Sequence, residues 1–348
     1  MLTRYRTDSY GALNKNAHIY TAEEHGIKRE KIDRKALQVI HRLTSHGYCA
    51  YIVGGAVRDF LLGKEPKDFD IATDASPNDI RKLFRNSRVI GRRFKLVHIV
   101  FGKHVLEVST FRSDIDEENT YGTIEEDVKR RDFTLNALYY DPHKEYVLDY
   151  IDGYKDIIEK KIRPIIPLNK IFVEDPVRMV RAVKYSVMTG FDLTKKVKRA
   201  IKKHSALIKS CPASRITEEI FKIMQSGYSA EIFKNMDEME LTKNILPNLY
   251  YSLENEKLSR FGETMKERFL ADLAYLDGKI RNKKHFDRFE TIQMLVQEVI
   301  TNKIESQKEY SIDYHELFRL TKHLLTPMTP PNLEVEQAVK RIMRYYIP

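Results

Sequence analysis

The sequence contains too few cysteines for a disulfide framework or a zinc cluster. It has two, Cys49 and Cys211, and such a pair is typical of reduced thiols in a cytoplasmic protein. No apolar run approaches the roughly 20 residues that a membrane helix needs. The N-terminal segment also lacks the apolar core of a secretory signal. We therefore expect a cytoplasmic protein without a membrane partner.

Internal repeats and low-complexity tracts are absent as well, but basic residues are in excess. The 348 residues include 60 Lys and Arg against 50 Asp and Glu, which gives a net charge of +10. Such an excess suits a polyanionic partner such as nucleic acid, although it also occurs in proteins with no such partner.

The spacing of apolar residues changes once along the chain. Helix and strand patterns alternate in the first half, and helical spacing dominates beyond about residue 167. We therefore predict four segments: a polar N-terminal extension over residues 1–33, an α+β head domain over 34–166, a helical neck and body over 167–250, and a helical body or tail over 251–348.

Asp68 and Asp70 stand two residues apart on a predicted strand, residues 68–73. Period-two geometry turns both side chains to one face, where two carboxylates repel each other unless a cation neutralises them. Mg²⁺ prefers oxygen ligands of this kind. A solvated strand end is the simpler explanation for two isolated aspartates at this spacing.

Two other segments favour the metal site. Gly54 and Gly55 end a strand and open a helix whose first turn carries Arg58, an arrangement suited to binding a phosphate. Glu107 lies on a later predicted strand, whose alternation would turn it toward the two aspartates. Three carboxylates that bind two metal ions about 3.5–4 Å apart are suited to in-line phosphoryl transfer.

Four motifs between residues 48 and 190 resemble those of the bacterial-type (class II) family of poly(A) polymerases and tRNA nucleotidyltransferases. In chain order they are residues 54–59 (GGAVRD) with 61–63 (LLG) and 68–73 (DFDIAT), residues 130–137 (RRDFTLNA), Asp152-Gly153 with Asp156, and residues 174–178 (EDPVR) with Arg181-Ala182. Glu107, in the segment EVSTFR, matches the strand that carries this family's third carboxylate.

The resemblance implies a DNA polymerase β-like nucleotidyltransferase head followed by all-helical neck, body and tail domains. It implies catalysis by two Mg²⁺ ions bound to Asp68, Asp70 and Glu107. The third motif corresponds to the hinge between head and neck. The residues that would bind the incoming nucleotide are Gly54, Gly55, Arg58, Arg130, Arg131, Asp132, Asn136, Asp175, Arg178 and Arg181. For the two arginines of the second motif, a basic helix face is the alternative.

Asp175 and Arg178 lie three residues apart on a predicted helix, residues 175–188, and therefore share a face. The carboxylate can accept a hydrogen bond from an exocyclic amine, and the guanidinium can donate one to a ring nitrogen. Adenine and cytosine present that edge, whereas uracil and guanine present the opposite pattern. Side chains alone can thus select ATP and CTP without a template. An ordinary ion pair on the helix surface is the alternative.

Residues 91–99 (GRRFKLVHI) resemble the signature that separates bacterial poly(A) polymerases from CCA-adding relatives. We therefore predict that the protein adds AMP from ATP to RNA 3′ ends. A CCA-adding or A-adding tRNA enzyme that uses CTP and ATP is the alternative. A non-catalytic RNA-binding protein is a third hypothesis, disfavoured because all three carboxylates are present. The basic residues of 91–99 would brace the nucleotide or the RNA end, or form a basic strand edge. Residues 195–209 form either an RNA track or a solvated helical face.

The predicted role of Arg178 leads to a test. Arg178→Ala should weaken the preference for ATP over UTP more than it weakens triphosphate binding, because only the contact with the base is lost. Competition between the two nucleotides in an incorporation assay measures the preference. An unchanged preference would remove Arg178 from base selection.

Overall fold

The computed structural model describes residues 2–7, 13–91, 95–113, 120–254, 263–306 and 313–346. The chain divides into two compact units, Met1–Pro167 and Leu168–Pro348. The strands described in the first unit are Leu2–Thr7 (β1), Leu13–Tyr20 (β2), Ala50–Val53 (β3), Asp70–Thr73 (β4), Ser87–Ile90 (β5), Leu96–Phe101 (β6), His104–Thr110 (β7), Leu138–Asp141 (β8) and Tyr146–Asp149 (β9). Its helices are Ala22–His25 (α1), Arg34–Ser45 (α2), Gly55–Leu61 (α3), Pro77–Leu83 (α4), Ile124–Arg130 (α5) and Gly153–Ile158 (α6), with 3-10 turns at Arg29–Lys31 and Thr134–Asn136.

These strands form one sheet in the order β1-β2-β9-β8-β3-β4-β7-β6-β5. Strand β4 pairs with β7 in parallel, and the other neighbours pair antiparallel. Ile52 and Ile71 are fully buried, and so are Val53 and Ala72, which alternate with them along β3 and β4. Val53 and Ala72 pack with Ile124 of α5. Both faces of the central strands are therefore covered, as expected of an α+β head.

Helix α2 begins where a side chain satisfies its first amides. The Asp33 carboxylate accepts hydrogen bonds from the backbone N–H groups of Lys35 and Ala36 at 2.8 and 3.0 Å. The chain leaves the helix at Gly47, whose φ of +86° favours glycine. Asp33 and Gly47 therefore mark the two ends of this helix.

The N-terminal segment differs from the polar extension predicted over residues 1–33. Residues of β1 and β2 extend the sheet, and β2 pairs with β9 through His18, Ile19 and Tyr20. Among the described side chains of β2, Ala17 is buried and the others are only partly covered. Because this end of the sheet buries little apolar surface, its strands lack the alternation that marks a strand in sequence.

Helix α5 includes only the first residue of the second motif, residues 130–137. It ends at Arg130, and Arg131 is extended, with φ −68° and ψ 163°. The Asp132 carboxylate accepts a hydrogen bond from the Phe133 N–H at 2.8 Å, which stabilises the break. Farther along the motif, Thr134–Asn136 forms a separate 3-10 turn. The break leaves the backbone of Arg131 outside the helix, while its side chain contacts both Asp127 of α5 and Tyr139 of the sheet.

The described part of the second unit contains helices and no strand. These helices are Ile171–Glu174 (α7), Val177–Thr189 (α8), Lys195–His204 (α9), Ala213–Met224 (α10), Ser229–Glu238 (α11), Thr242–Ile245 (α12), Pro247–Glu254 (α13), Met265–Arg281 (α14), Arg288–Ser306 (α15), Tyr314–Leu325 (α16) and Asn332–Tyr346 (α17), with a 3-10 segment at Ser205–Ser210. An ion pair between Lys184 and Glu219, 2.6 Å apart and buried, joins α8 to α10. Among the described residues, no helix has the length and apolar character needed to cross a bilayer.

The residues of the third sequence motif pack closely against neighbouring elements. Asp152 adopts a left-handed conformation, with φ +62°, immediately before α6. The buried Asp156 carboxylate accepts hydrogen bonds from Thr134 Oγ1 at 2.6 Å and from Arg163 Nε at 2.7 Å. A Cβ added at Gly153 would lie 2.4 Å from the Thr134 carbonyl oxygen. The motif therefore fixes α6 against the 3-10 turn that carries Asn136.

Gly153→Ala should lower the free energy of unfolding by about 1–3 kcal/mol, the usual cost of overpacking a filled site. Urea unfolding measures this change. Gly278→Ala in α14 is the matched control, because an added Cβ there meets no heavy atom within 4 Å. The control should be neutral or stabilising by up to about 1 kcal/mol, because alanine favours a helix over glycine. Equal stability of the two variants would contradict the proposed contact.

Candidate functional site

Two of the predicted carboxylates stand side by side in the sheet. Asp70, the first residue of β4, is paired with Glu107 of β7 in the parallel register. Both are exposed, whereas the next residues, Ile71 and Val108, are buried. Because directly opposed residues on paired strands project from the same face, both carboxylates point to the same side of the sheet.

Asp68 lies two residues before β4. It is exposed, as Asp70 is, and Phe69 between them is buried. The period-two alternation predicted for the two aspartates is therefore present, although the strand itself begins only at Asp70.

Glu107 has a second neighbour on its other side. His98 of β6 is paired with Glu107, and its Nε2 lies 3.2 Å from Glu107 Oε1. The side chain of Glu107 is 50% exposed and that of His98 is 29% exposed. Of the basic segment predicted to brace the nucleotide, Arg92 and Arg93 lie outside the described residues.

Within the described ranges, no three His, Cys, Asp or Glu side chains are grouped closely enough to hold a metal ion. Of the three predicted ligands, Asp70 and Glu107 lie side by side on one exposed face of the sheet. The three carboxylates together are not close enough in this structure to bind one metal ion. Their chemistry nevertheless fits the predicted ion, because carboxylate oxygens are the ligands that Mg²⁺ prefers.

A glycine turn brings the first and second motifs together. Gly54 has φ +70° and ψ −128° at the start of α3. The point where its Cβ would lie is 3.7 Å from Arg131 Nη1 and 3.9 Å from Asp70 Oδ2. Gly54, Asp70 and Arg131 therefore surround one point. There the Arg131 guanidinium and the Asp70 carboxylate both face backbone that carries no side chain.

Arg58, predicted to contact a phosphate, is buried beneath this turn. Its Nε donates to Asp59 Oδ1 at 2.8 Å, and its Nη1 donates to Asn136 Oδ1 at 2.9 Å. Asn136 also accepts a hydrogen bond from Arg131 Nη1 through its carbonyl oxygen, at 3.1 Å. In this structure Arg58 and Asn136 connect α3 to the second motif.

The other polar residues of the second motif differ in their surroundings. Arg130, at the end of α5, donates from Nη1 to the Ser113 carbonyl oxygen at 2.6 Å. Asp132 is buried. Arg131 is held by Asp127 and Tyr139, two residues that sequence reasoning missed. Asp127 lies among other charged residues of a helix, and Tyr139 lies in an apolar strand like an ordinary core residue. Neither therefore stands out in the sequence.

The predicted base-selecting residues lie at the start of α8 in the second unit. Asp175 is extended, with φ −147°, and the helix begins at Val177, so the predicted helix from residue 175 starts too early. Pro176 explains this, because the residue before a proline disfavours helical geometry. Even so, Arg178 Nε lies 3.8 Å from Asp175 Oδ2.

Arg215 of α10, missed from the sequence, contacts the same carboxylate. Its Nη2 donates to Asp175 Oδ2 at 2.8 Å. The other oxygen, Oδ1, makes no hydrogen bond with any residue that the structure describes, and it is buried. Farther along α8, Arg181 Nη2 donates to the Tyr185 hydroxyl at 2.9 Å. The Asp175 carboxylate is therefore oriented by Arg215, with one buried oxygen that has no hydrogen-bond partner among the described residues.

Two family models match this chain. The model of the poly(A) polymerase head domain matches residues 50–163. The model described as the probable RNA- and SrmB-binding site of polymerase A matches residues 190–253. Together they cover strands β3 to β9, with the carboxylates of the sheet, and the basic helix α9.

Curated relatives extend the similarity along the chain. The sequence is 40% identical to poly(A) polymerase I of Salmonella typhimurium over 285 residues, which are 76% of this chain and 60% of that protein. It is 37% identical to poly(A) polymerase I of Escherichia coli O157:H7 over 319 residues, 86% of this chain and 67% of the relative. This chain thus spans about three fifths to two thirds of the length of these relatives.

The fold is also similar to solved structures. A crystal structure of the Bacillus stearothermophilus CCA-adding enzyme in complex with CTP superposes with a TM-score of 0.59 at 26% identity, covering 90% of this chain and 82% of that chain. This similarity confirms the fold predicted from the sequence, a nucleotidyltransferase head followed by a helical second part.

Gly54→Ala should lower the free energy of unfolding by about 1–3 kcal/mol, because its backbone conformation is essentially restricted to glycine. The strain is in the backbone, since the added Cβ would make only ordinary contacts. Urea unfolding measures it. Gly55→Ala is the control, because Gly55 has no positive φ. Comparable losses in both variants would show that the turn does not depend on Gly54.

Proposed function

We propose, because this chain belongs to the family of bacterial poly(A) polymerases and CCA-adding enzymes, that it adds AMP from ATP to RNA 3′ ends without a template. The observation that carries this proposal is the convergence of Gly54, Asp70 and Arg131 on one point, with Glu107 paired to Asp70 in the sheet. Binding of a nucleoside triphosphate requires such a combination of acidic oxygens, a cationic side chain and accessible backbone. We place this activity in the cytoplasm.

Asp68, Asp70 and Glu107 would hold two Mg²⁺ ions. The ions, when bound, would lower the pKa of the attacking 3′-hydroxyl and stabilise the leaving pyrophosphate. The RNA 3′ oxygen forms a bond to the α-phosphorus of ATP, and the bond from that phosphorus to the β-phosphate oxygen breaks. The exposed pairing of Asp70 with Glu107 supports this assignment.

Arg131 is the residue best placed to bind the triphosphate. Its Nη1 faces Gly54, where no side chain separates a ligand from the backbone. Arg130, Asp132 and Asn136 would support this part of the nucleotide. For Arg58, the buried bonds to Asp59 and Asn136 favour a supporting role under the glycine turn over direct phosphate contact.

Asp175 and Arg178 would read the base. Arg215 orients Asp175 through Oδ2, so that the buried Oδ1 can accept a hydrogen bond from an exocyclic amine. Arg178 would donate to the neighbouring ring nitrogen. Adenine and cytosine satisfy this pair, and the other two bases do not, which explains how ATP can be selected without a template. Arg181 would support the same motif.

RNA would bind along helix α9. Val197 and Ile201 are buried, whereas Lys195, Lys198 and Lys202 are exposed. The helix therefore presents a basic face to solvent, within the segment that the RNA-binding family model covers. Such binding should weaken steeply with salt, because phosphate contacts release counterions. A solvated face would show no such dependence.

The alternative is a CCA-adding or A-adding tRNA enzyme. Similarity to the CCA-adding enzyme bound to CTP favours it, and the proposed base selection admits both CTP and ATP. Poly(A) addition is preferred because residues 91–99 resemble the poly(A) polymerase signature and the poly(A) polymerase relatives match along most of this chain.

Sequencing of reaction products separates the two activities. The protein is incubated with a tRNA that lacks its 3′ CCA and with unrelated RNAs, and ATP and CTP are supplied separately and together. Long adenosine tracts on varied RNAs support the proposal. An ordered CCA ending confined to tRNA would replace it with the alternative, and no incorporation on any RNA would refute both.

Asp70→Asn should reduce incorporation by more than the roughly 10- to 100-fold that outer-shell changes cost, because it replaces a charged carboxylate ligand of the metal with a neutral amide. The matched control is Asp74→Asn at the opposite end of β4, where the side chain accepts a hydrogen bond from the Cys49 N–H at 2.8 Å. Asparagine keeps that acceptor, so the control should retain activity. Near-normal incorporation by Asp70→Asn would refute the site assignment.

A further inference from the structure

Asp127, Arg131 and Tyr139 form a closed ring of hydrogen bonds beneath the glycine turn. Arg131 donates to Asp127 Oδ2 from Nε at 3.1 Å and from Nη2 at 3.0 Å. Arg131 Nε also donates to the Tyr139 hydroxyl at 2.9 Å. That hydroxyl in turn donates to the same Asp127 oxygen at 2.5 Å. Each of the three groups therefore contacts both of the others.

The ring fixes the guanidinium in orientation as well as in place. Its Nε and Nη2 edge is directed to Asp127, and its carbon lies 4.9 Å from the centre of the Tyr139 ring. The remaining nitrogen, Nη1, is left on the side of Gly54 and Asn136. The direction of Nη1 is thus a consequence of where Asp127 and Tyr139 hold the opposite edge.

Tyr139 is suited to a permanent donor role. It is fully buried in β8, and Phe111 and Tyr51 lie edge-on against its ring. Burial raises the pKa of the Tyr139 hydroxyl well above its usual range, so the group stays protonated.

Asp127 is anchored as well. Its Oδ1 accepts a hydrogen bond from the Arg112 N–H at 3.2 Å, which fixes the carboxylate to the chain after β7.

We propose that Asp127 and Tyr139 are positioning residues that hold Arg131 Nη1 toward Gly54 and thereby set the affinity for the triphosphate of the incoming nucleotide. This inference rests on the proposed function. A guanidinium that is already oriented loses little side-chain entropy when a phosphate binds. Removal of the hydroxyl should therefore weaken nucleotide binding, while the carboxylates that act on the reacting atoms stay in place.

The next residue along the strand provides a matched control. Tyr140 is also fully buried in β8, and alternation turns it to the opposite face. Its hydroxyl makes no hydrogen bond with any described residue. Tyr139→Phe and Tyr140→Phe therefore remove the same atom from neighbouring core residues, and only the first removal touches Arg131.

Steady-state incorporation gives KM for ATP and kcat for the wild type and both variants, and calorimetry gives the affinity for inorganic triphosphate. Tyr139→Phe should raise KM and weaken triphosphate binding by about three- to tenfold, the range expected for one lost hydrogen bond. The value of kcat should change less than twofold. Tyr140→Phe should match the wild type in all three quantities.

A purely structural ring would give a different result. Tyr139→Phe would then lower the melting temperature with KM and triphosphate affinity unchanged, which would overturn the inference, as would equal effects in both variants. Asp127→Asn provides a second test and should weaken triphosphate binding more than Tyr139→Phe, because it removes the charge that holds two guanidinium nitrogens. A wild type that binds triphosphate but incorporates no nucleotide would refute the proposed function and leave the positioning role measurable by calorimetry.

Discussion

Strands β4 and β7 pair in parallel, and this pairing sets Asp70 directly opposite Glu107. The register is protected by the alternation along β7, because the buried Val108 would be turned to the exposed side of Glu107 if this strand slipped by one residue. Strand β6 then places His98 on the far side of Glu107. The exposed acidic face therefore depends on the hydrophobic core that lies beneath it.

Departures from regular secondary structure arrange the residues around that face. The positive φ of Gly54 leaves the backbone bare, and the end of α5 at Arg130 allows Arg131 to turn toward the same point. Gly153 packs against Thr134 and so fixes the 3-10 turn that carries Asn136. Each irregularity is stabilised by its neighbours, so the geometry belongs to the packed unit and not to a single loop.

In the second unit, too, one polar side chain is oriented by another. Arg215 of α10 orients Asp175, which precedes α8, much as Asp127 and Tyr139 orient Arg131. On the proposed function, both the phosphate and the base would meet side chains whose direction is set by a second residue.

By itself, the sequence determined the alternation of Asp68 and Asp70, the strand that carries Glu107, and the change to a helical second part. These features follow from short periodicities, which local residues impose. Only the tertiary structure decided that Arg58 is buried against Asn136 and that Arg215 contacts Asp175. Those partners are 78 and 40 residues apart in the chain. Contacts over such distances depend on how elements pack, and local spacing carries no record of that packing.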